Sequence, residues 1–241
     1  MERKLFVHYL CPFAQRALYV AGYKGLQLSI VEVDLSDKPF WLYELNPAGL
    51  VPIVVENIEG KQYSLFESLQ VCEYLESLSE PYLYPRYPDG SLDTFKKAIV
   101  DSHIKLKVDG FVSSMVYFYL NEPTLDNTGK IRDTLKDLDK NYLEGGNFFS
   151  HKILGVNEVG MGDIALFPFM ERLMAFKEEP WKLIVEGLEI QSVLTWYSKM
   201  SEFPWIQKYL ADKQRLLNLL SARKSGQYKG LKLPLSHYDN Y

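Results

Sequence analysis

The run His8-Tyr9-Leu10-Cys11-Pro12-Phe13-Ala14-Gln15-Arg16 sets one thiol between an apolar, strand-like segment and a helix that starts at proline. The thiolate is the nucleophilic form of cysteine. A helix N-terminus favours it, because the dipole and unpaired N–H groups there can lower a thiol pKa to about 3.5–7.5. Proline at the first helical position gives up only a donor that has no partner there, and its ring presets the helical φ. Cys11 is therefore the expected catalytic residue. Cys72 falls on an apolar helical stripe and is expected to be a small buried hydrophobe. Position 14 is alanine, so the Cys-x-x-Cys pair of a dithiol redox protein is absent. A mixed disulfide at Cys11 then has to be opened by an external thiol.

A seat for that thiol can be read from the same stretch of chain. Leu50-Val51-Pro52 opens a strand, where proline is tolerated. With a cis Val51–Pro52 bond, the Val51 backbone can pair with a peptide-like ligand as an added strand. Ser68 starts a helix and is expected as its N-cap, at an end that suits a carboxylate. Glu67 beside it suits an ammonium group, and Lys38, in the loop after the second strand, suits a second carboxylate. Each has a plain alternative: Pro52 as a strand boundary, Glu67 and Lys38 as solvated charges, Ser68 as a cap. Together with the thiol, these sites describe γ-Glu-Cys-Gly.

The elements that must position these residues follow from periodicity. Residues 4–8 form a β-favouring run, and a helix runs from Pro12 to a stop at Gly25. Segments 28–35, 51–56 and 63–67 read as strands, the last two joined by a turn at Glu59-Gly60. Leu69, Cys72, Leu75 and Leu78 mark a helix after them. This makes an α/β unit over 1–79, followed by a proline-rich linker at 80–92. From 93 to 223 apolar residues recur at helical spacing, first through Phe95, Ile99, Leu106, Val108 and Phe111, later through Ile190, Val193, Leu194 and Met200. No strand is convincing there. Residues 224–241 carry no period and read as an irregular tail.

Composition narrows the partners. With 27 basic and 31 acidic residues in 241, the net charge of −4 supplies no basic field for nucleic acid. No apolar run reaches the ~18 residues needed to span a bilayer, and Met1-Glu2-Arg3-Lys4 leads into a strand without a signal-peptide layout. Two cysteines are too few for a disulfide framework. A cytoplasmic protein with no nucleic-acid, membrane or metal partner is expected.

Cys11-Pro12-Phe13-Ala14-Gln15-Arg16, Asn46-Pro47-Ala48-Gly49-Leu50-Val51-Pro52 and Glu67-Ser68 resemble the omega-class glutathione transferases, ungapped from Cys11 to Pro52. GMGDIALFPFMERL, at 160–173, is similar to the segment that opens the family's buried helix. Plant lambda-class enzymes share the first motif, and the second fits omega better. Across residues 4–220 the resemblance implies the glutathione transferase fold, an α/β thioredoxin-like N-terminal domain plus an all-α C-terminal domain, usually in a homodimer. It implies glutathione as cosubstrate, in mixed disulfide with Cys11. It places Lys38 on the glycyl carboxylate, Val51 on the ligand backbone ahead of cis Pro52, Glu67 and Ser68 on the γ-glutamyl group, and Phe13 beside the thiol. Arg172 matches a position lining the second-substrate site, to which the nearby aromatics Phe118, Tyr119 and Trp181 are joined. The implied activities are glutathione-dependent thiol transfer and dehydroascorbate reduction. A chloride intracellular channel-like protein, which shares a Cys-Pro-Phe run, and a non-enzymatic scaffold of the same fold are the alternatives. One departure stands out. The family's helix cap usually reads Ser/Thr-x-x-Asp, whereas Gly160 holds the cap here and only Asp163 remains; glycine for serine at an N-cap costs only about a few tenths of a kcal/mol.

Overall fold

The computed structural model describes residues 3–120, 125–175 and 182–224, leaving aside the side chains at 117–120, 125–127, 183, 220, 223 and 224. The chain groups into two units: residues up to 80 with those from 208 onward, and residues 81–207.

The first unit is built on β1 (Lys4–Val7), α1 (Pro12–Tyr23), β2 (Ser29–Glu32), α2 (Phe40–Leu45), β3 (Ile53–Ile58), β4 (Lys61–Phe66) and α3 (Ser68–Ser77). Its sheet runs β2-β1-β3-β4, with β1 parallel to β2 and antiparallel to β3, and with β3 and β4 closing a hairpin at Glu59-Gly60. Helices α1 and α3 pack together. Ala17, Leu18 and Ala21 from α1 and Val71, Cys72 and Leu75 from α3 are buried, as are Leu5, Val7, Ile53 and Val55 of the sheet. The buried face of α3 runs Ser68, Val71, Cys72, Leu75, Glu76, and the outer members of the expected stripe, Leu69 and Leu78, are only half-buried. A strict spacing of three falls behind the 3.6-residue turn, so residues nine apart point to opposite faces.

Helix α2 is new relative to the sequence reading. The turn that follows it depends on Asn46, whose amide donates to the Leu50 carbonyl at 3.0 Å and whose Oδ1 accepts from the Ala48 N–H at 3.0 Å. Gly49, at φ +61, lies so close under the Tyr43 ring that a Cβ there would sit 2.5 Å from Cε1. Any other residue would be both strained and clashing.

The second unit carries α4 (Thr94–His103), a π-helical stretch (Ile104–Asp109), α5 (Gly110–Leu120), α6 (Leu125–Asn141), α7 (Phe149–Leu154), α8 (Met161–Ala175), α9 (Lys182–Val185), α10 (Gln191–Ser201) and α11 (Pro204–Gln207). Among its described residues there is no strand, only an isolated bridge between Arg86 and Leu92. Around the π-helical stretch the buried positions are Val100, Ile104 and Val108, while Phe95 and Leu106 face solvent. Phe95 already lies on the outer face of regular α4, opposite to the face that buries Val100. Bonding from i to i+5 winds the backbone wider only from Ile104, where the count to Leu106 is lost. Around α10 the expected Ile190, Val193 and Met200 are buried, but Leu194 is exposed and Trp196 takes its place on the buried face.

Residues 208–223, read above as the end of the helical domain, group with the first unit, and α12 (Lys213–Lys224) also takes in Lys224, the first residue of the expected irregular tail. The buried Gln15 amide donates to the Tyr209 carbonyl at 2.9 Å, and Arg215 lies 3.4 Å from Glu32. The remainder of the expected tail, 225–241, lies outside the described residues.

The cap of α8 explains Gly160. Asp163, fully buried, keeps its half of the capping box by accepting from the Gly160 N–H at 2.9 Å. It also accepts from the Phe149 N–H at 2.9 Å and the Trp196 indole N–H at 2.8 Å. A Cβ on residue 160 would stand 2.8 Å from the Ser150 hydroxyl. Serine is thus shut out by Ser150 rather than by the cap. Gly160→Ser should cost about 1–3 kcal/mol in chemical denaturation, an overpacking loss, and Ser150→Ala should recover most of it in the double variant. A stabilised Gly160→Ser single variant would sink this account.

Candidate active site

The first unit brings Cys11 to the start of α1. The residue is the N-cap, with extended backbone at φ −84 and ψ 117, and Pro12 follows at N1. Its N–H donates to the His8 carbonyl at 2.8 Å, and its carbonyl accepts from the Gln15 N–H at 3.0 Å. The backbone thus holds the side chain at the helix end, half-buried. Its sulfur lies 3.9 Å from the Val51 carbonyl oxygen. The Val51–Pro52 bond is cis, and both residues are buried. Neither cysteine is in a disulfide.

Lys38 sits half-buried in the loop before α2. Burial lowers its pKa from the ordinary lysine value, and the neighbouring Cys11 pushes it back up. The lysine charge is therefore felt at the thiol, where a cation favours the thiolate.

Glu67 and Ser68 stand at the start of α3, in roles shifted by one from the expected cap. Glu67 is the N-cap and Ser68 the first helical residue. The Glu67 side chain makes no capping hydrogen bond. Glu67 has φ +71 and ψ 120, a conformation few non-glycine residues adopt, and such backbones store about 1–3 kcal/mol. Its side chain is exposed and makes no hydrogen bond or ion pair among the described residues. The Ser68 hydroxyl instead accepts from the Arg16 guanidinium at 3.1 Å. Arg16, in turn, lies 5.4 Å from the centre of the Phe13 ring. The sequence reading assigned Arg16 no role. A signal for one exists in the motif itself: an arginine three residues after Phe13, on a helix whose other residues are small, apolar or aromatic apart from Gln15, has to be paired to be buried.

Cys72 meets its expectation in full. It is completely buried on α3, and burial pushes its thiol up to about 12.

The second-substrate residues are less complete. Arg172 is buried within α8, where it donates to the Pro168 carbonyl at 2.8 Å and to Glu171 at 3.1 Å. The side chains of Phe118 and Tyr119, and the whole of Trp181, lie outside the described residues. Among the described residues no group of three or more His, Cys, Asp or Glu could hold a metal, and no helix is long and apolar enough to cross a membrane.

Comparison with known proteins places this arrangement among relatives. The profile of the glutathione S-transferase N-terminal domain matches residues 10–78. The chain is 30% identical over 220 residues to glutathione S-transferase L1 of Arabidopsis thaliana, covering 89% of this chain and 84% of that one. It is 31% identical over 214 residues to glutathione S-transferase omega-1 of Rattus norvegicus, covering 88% and 81%. In three dimensions it is similar to the crystal structure of glutathione transferase Omega 3C from Trametes versicolor, with a TM-score of 0.70 at 20% identity over 88% of this chain and 90% of that one.

Proposed function

We propose, for a chain that belongs to the glutathione S-transferase family and has omega- and lambda-class relatives, that it is a cysteine-dependent thioltransferase and dehydroascorbate reductase. Glutathione is the cosubstrate that membership of the family carries. The single observation behind the finer reading is the thiol itself: Cys11 caps α1 against the Val51 carbonyl, within reach of the Lys38 charge.

In thiol transfer, the Cys11 thiolate attacks the glutathionyl sulfur of a mixed disulfide. The Cys11–glutathione disulfide forms, and the other thiolate leaves and takes a proton. A glutathione thiolate then attacks the glutathionyl sulfur of that adduct, giving glutathione disulfide and returning the Cys11 thiolate. Reduction of dehydroascorbate uses the same second half: two glutathione molecules supply two electrons and two protons, and one disulfide results. Alanine at position 14 leaves no internal thiol to shorten the cycle.

Glutathione is held, in this reading, by Lys38 at its glycyl carboxylate, the Val51 backbone beside cis Pro52, and Glu67 with Ser68 at the γ-glutamyl end, with Phe13 flanking the sulfur. Arg172, Phe118, Tyr119 and Trp181 are assigned to the second substrate. A homodimer in the cytoplasm, where both thiols stay reduced, completes the proposal.

The test is reduction by glutathione of a glutathionylated small disulfide and of dehydroascorbate. Both activities are expected, and absence of both would leave a family member without this chemistry. Lys38→Ala and Glu67→Ala should each weaken glutathione binding by about 1–3 kcal/mol, the loss of one charge-assisted contact. Alkylation of Cys11 by small reagents should continue in both variants. Unaltered affinity in both would move the binding site elsewhere.

A further inference from the structure

We propose that Arg16 is a positioning residue that sets the direction of the Ser68 hydroxyl, so that glutathione meets a donor at the start of α3. The inference rests on the glutathione site proposed above. Arg16 is 2% exposed, and its guanidinium donates to Ser68 Oγ at 3.1 Å. A guanidinium has five donors and no acceptor, so that bond can run in one direction only. Serine carries one proton. With a lone pair of Oγ held by Arg16, the hydroxyl proton is left to point away from the guanidinium. Ser68 is the first residue of a ten-residue helix whose N-cap, Glu67, makes no side-chain capping bond, so its hydroxyl joins backbone N–H groups directed outward from the helix start. Donors so arranged fit a carboxylate.

Neighbouring groups hold Arg16 in place. The Phe13 ring stands 5.4 Å from the guanidinium, within the range of a cation–π contact. Burial of Cys72 is partly offset by the same cation, which pulls that thiol's pKa down. Arg16 therefore lies between α1 and α3, the two helices that present Cys11 and Ser68. This ties the catalytic helix to the carboxylate site through one side chain.

The experiment measures glutathione affinity by calorimetry and Cys11 alkylation by iodoacetamide on the same folded proteins. Arg16→Met should raise the Kd for glutathione about tenfold, the scale of a charge-assisted hydrogen bond. The alkylation rate should change far less. In a Ser68→Ala background, Arg16→Met should add nothing to the loss already present, because the residue it acts through is gone. A purely structural arginine would lower thermal stability and give additive losses instead. Arg16→Lys keeps the charge and a donor. If Arg16→Met fails to fold, Arg16→Lys carries the same cycle, and its smaller affinity loss must also vanish beside Ser68→Ala. Additive losses, or unchanged affinity in a folded variant, overturn the inference while the glutathione site stands. If the wild-type protein itself binds no glutathione, the site and the inference fall together.

Discussion

Iodoacetamide at pH 7 should label Cys11 and leave Cys72 untouched. Burial pushes the Cys72 thiol up to about 12, so at neutral pH roughly one part in 10⁵ is thiolate, and no reagent reaches it in the folded chain. Cys11 is at the solvent-facing start of α1 with the Lys38 charge beside it. Oxidised glutathione should add a single glutathionyl mass, on the peptide that contains Pro12 and Phe13, and the adduct should persist until reduced glutathione is supplied. Cys11→Ala should bring thiol transfer and dehydroascorbate reduction to background while the protein still binds glutathione. Cys72→Ala should keep turnover and lose only packing stability, since it empties a buried site the size of one sulfur. In denaturant both thiols should label, which gives the control within one sample. Faster labelling of Cys72 in the folded protein, or turnover by Cys11→Ala, would remove the mechanism.

Asp163→Ala should be the most damaging substitution for stability in the second unit. Three buried N–H donors converge on that carboxylate, from Phe149, Gly160 and Trp196. Removing it leaves all three without an acceptor, a loss of about 3–5 kcal/mol. Asp163→Asn should be milder. Its amide oxygen can keep the Phe149 and Trp196 bonds, both made to Oδ1, but its NH₂ would face the Gly160 N–H donor to donor. Burial raises the Asp163 pKa to about 6, against the pull of those donors. The folded state therefore holds more protons than the unfolded state between about pH 4 and 6. Across that window wild type should lose stability relative to Asp163→Asn as pH rises, and the difference should be flat above it. Denaturation midpoints of the two proteins from pH 4 to 8 measure this. A gap that widens in favour of wild type through the window would reverse the assignment.

What sequence reveals here depends on how local the cause is. The thiol at the start of α1 is legible because a cysteine, a proline and a run of helix formers lie in adjacent positions. The hairpin is legible from its turn. Helix α2 is not, because its six residues lie between Pro39 and Asn46, too few to show a period. The face of α4 is misread because Phe95 is an apolar residue on its solvent side, and Leu106 is misread because the π-helical stretch changes the residues per turn without a sequence mark. Ser68 is the instructive case. Its residue type suits a cap, but the structure gives the cap to Glu67 and the serine hydroxyl to Arg16, a partner 52 positions away that no local rule can supply. The departure at Gly160 likewise makes sense only once Ser150, ten residues earlier in the chain, is seen beside it.

The return of the chain at residue 208 imposes an order on synthesis. When residue 80 leaves the ribosome, the Tyr209 carbonyl that accepts from the buried Gln15 amide, 194 positions along the chain, is still to be made. From residue 80 to residue 209 is 129 residues, roughly 6–26 s of translation at ribosomal speeds. Through that interval the nascent unit carries an open seam beside the helix that bears Cys11, until the last part of the chain closes it. The same seam sets a rule for hybrids between relatives: an exchange of the first 80 residues has to take the segment after 208 with it.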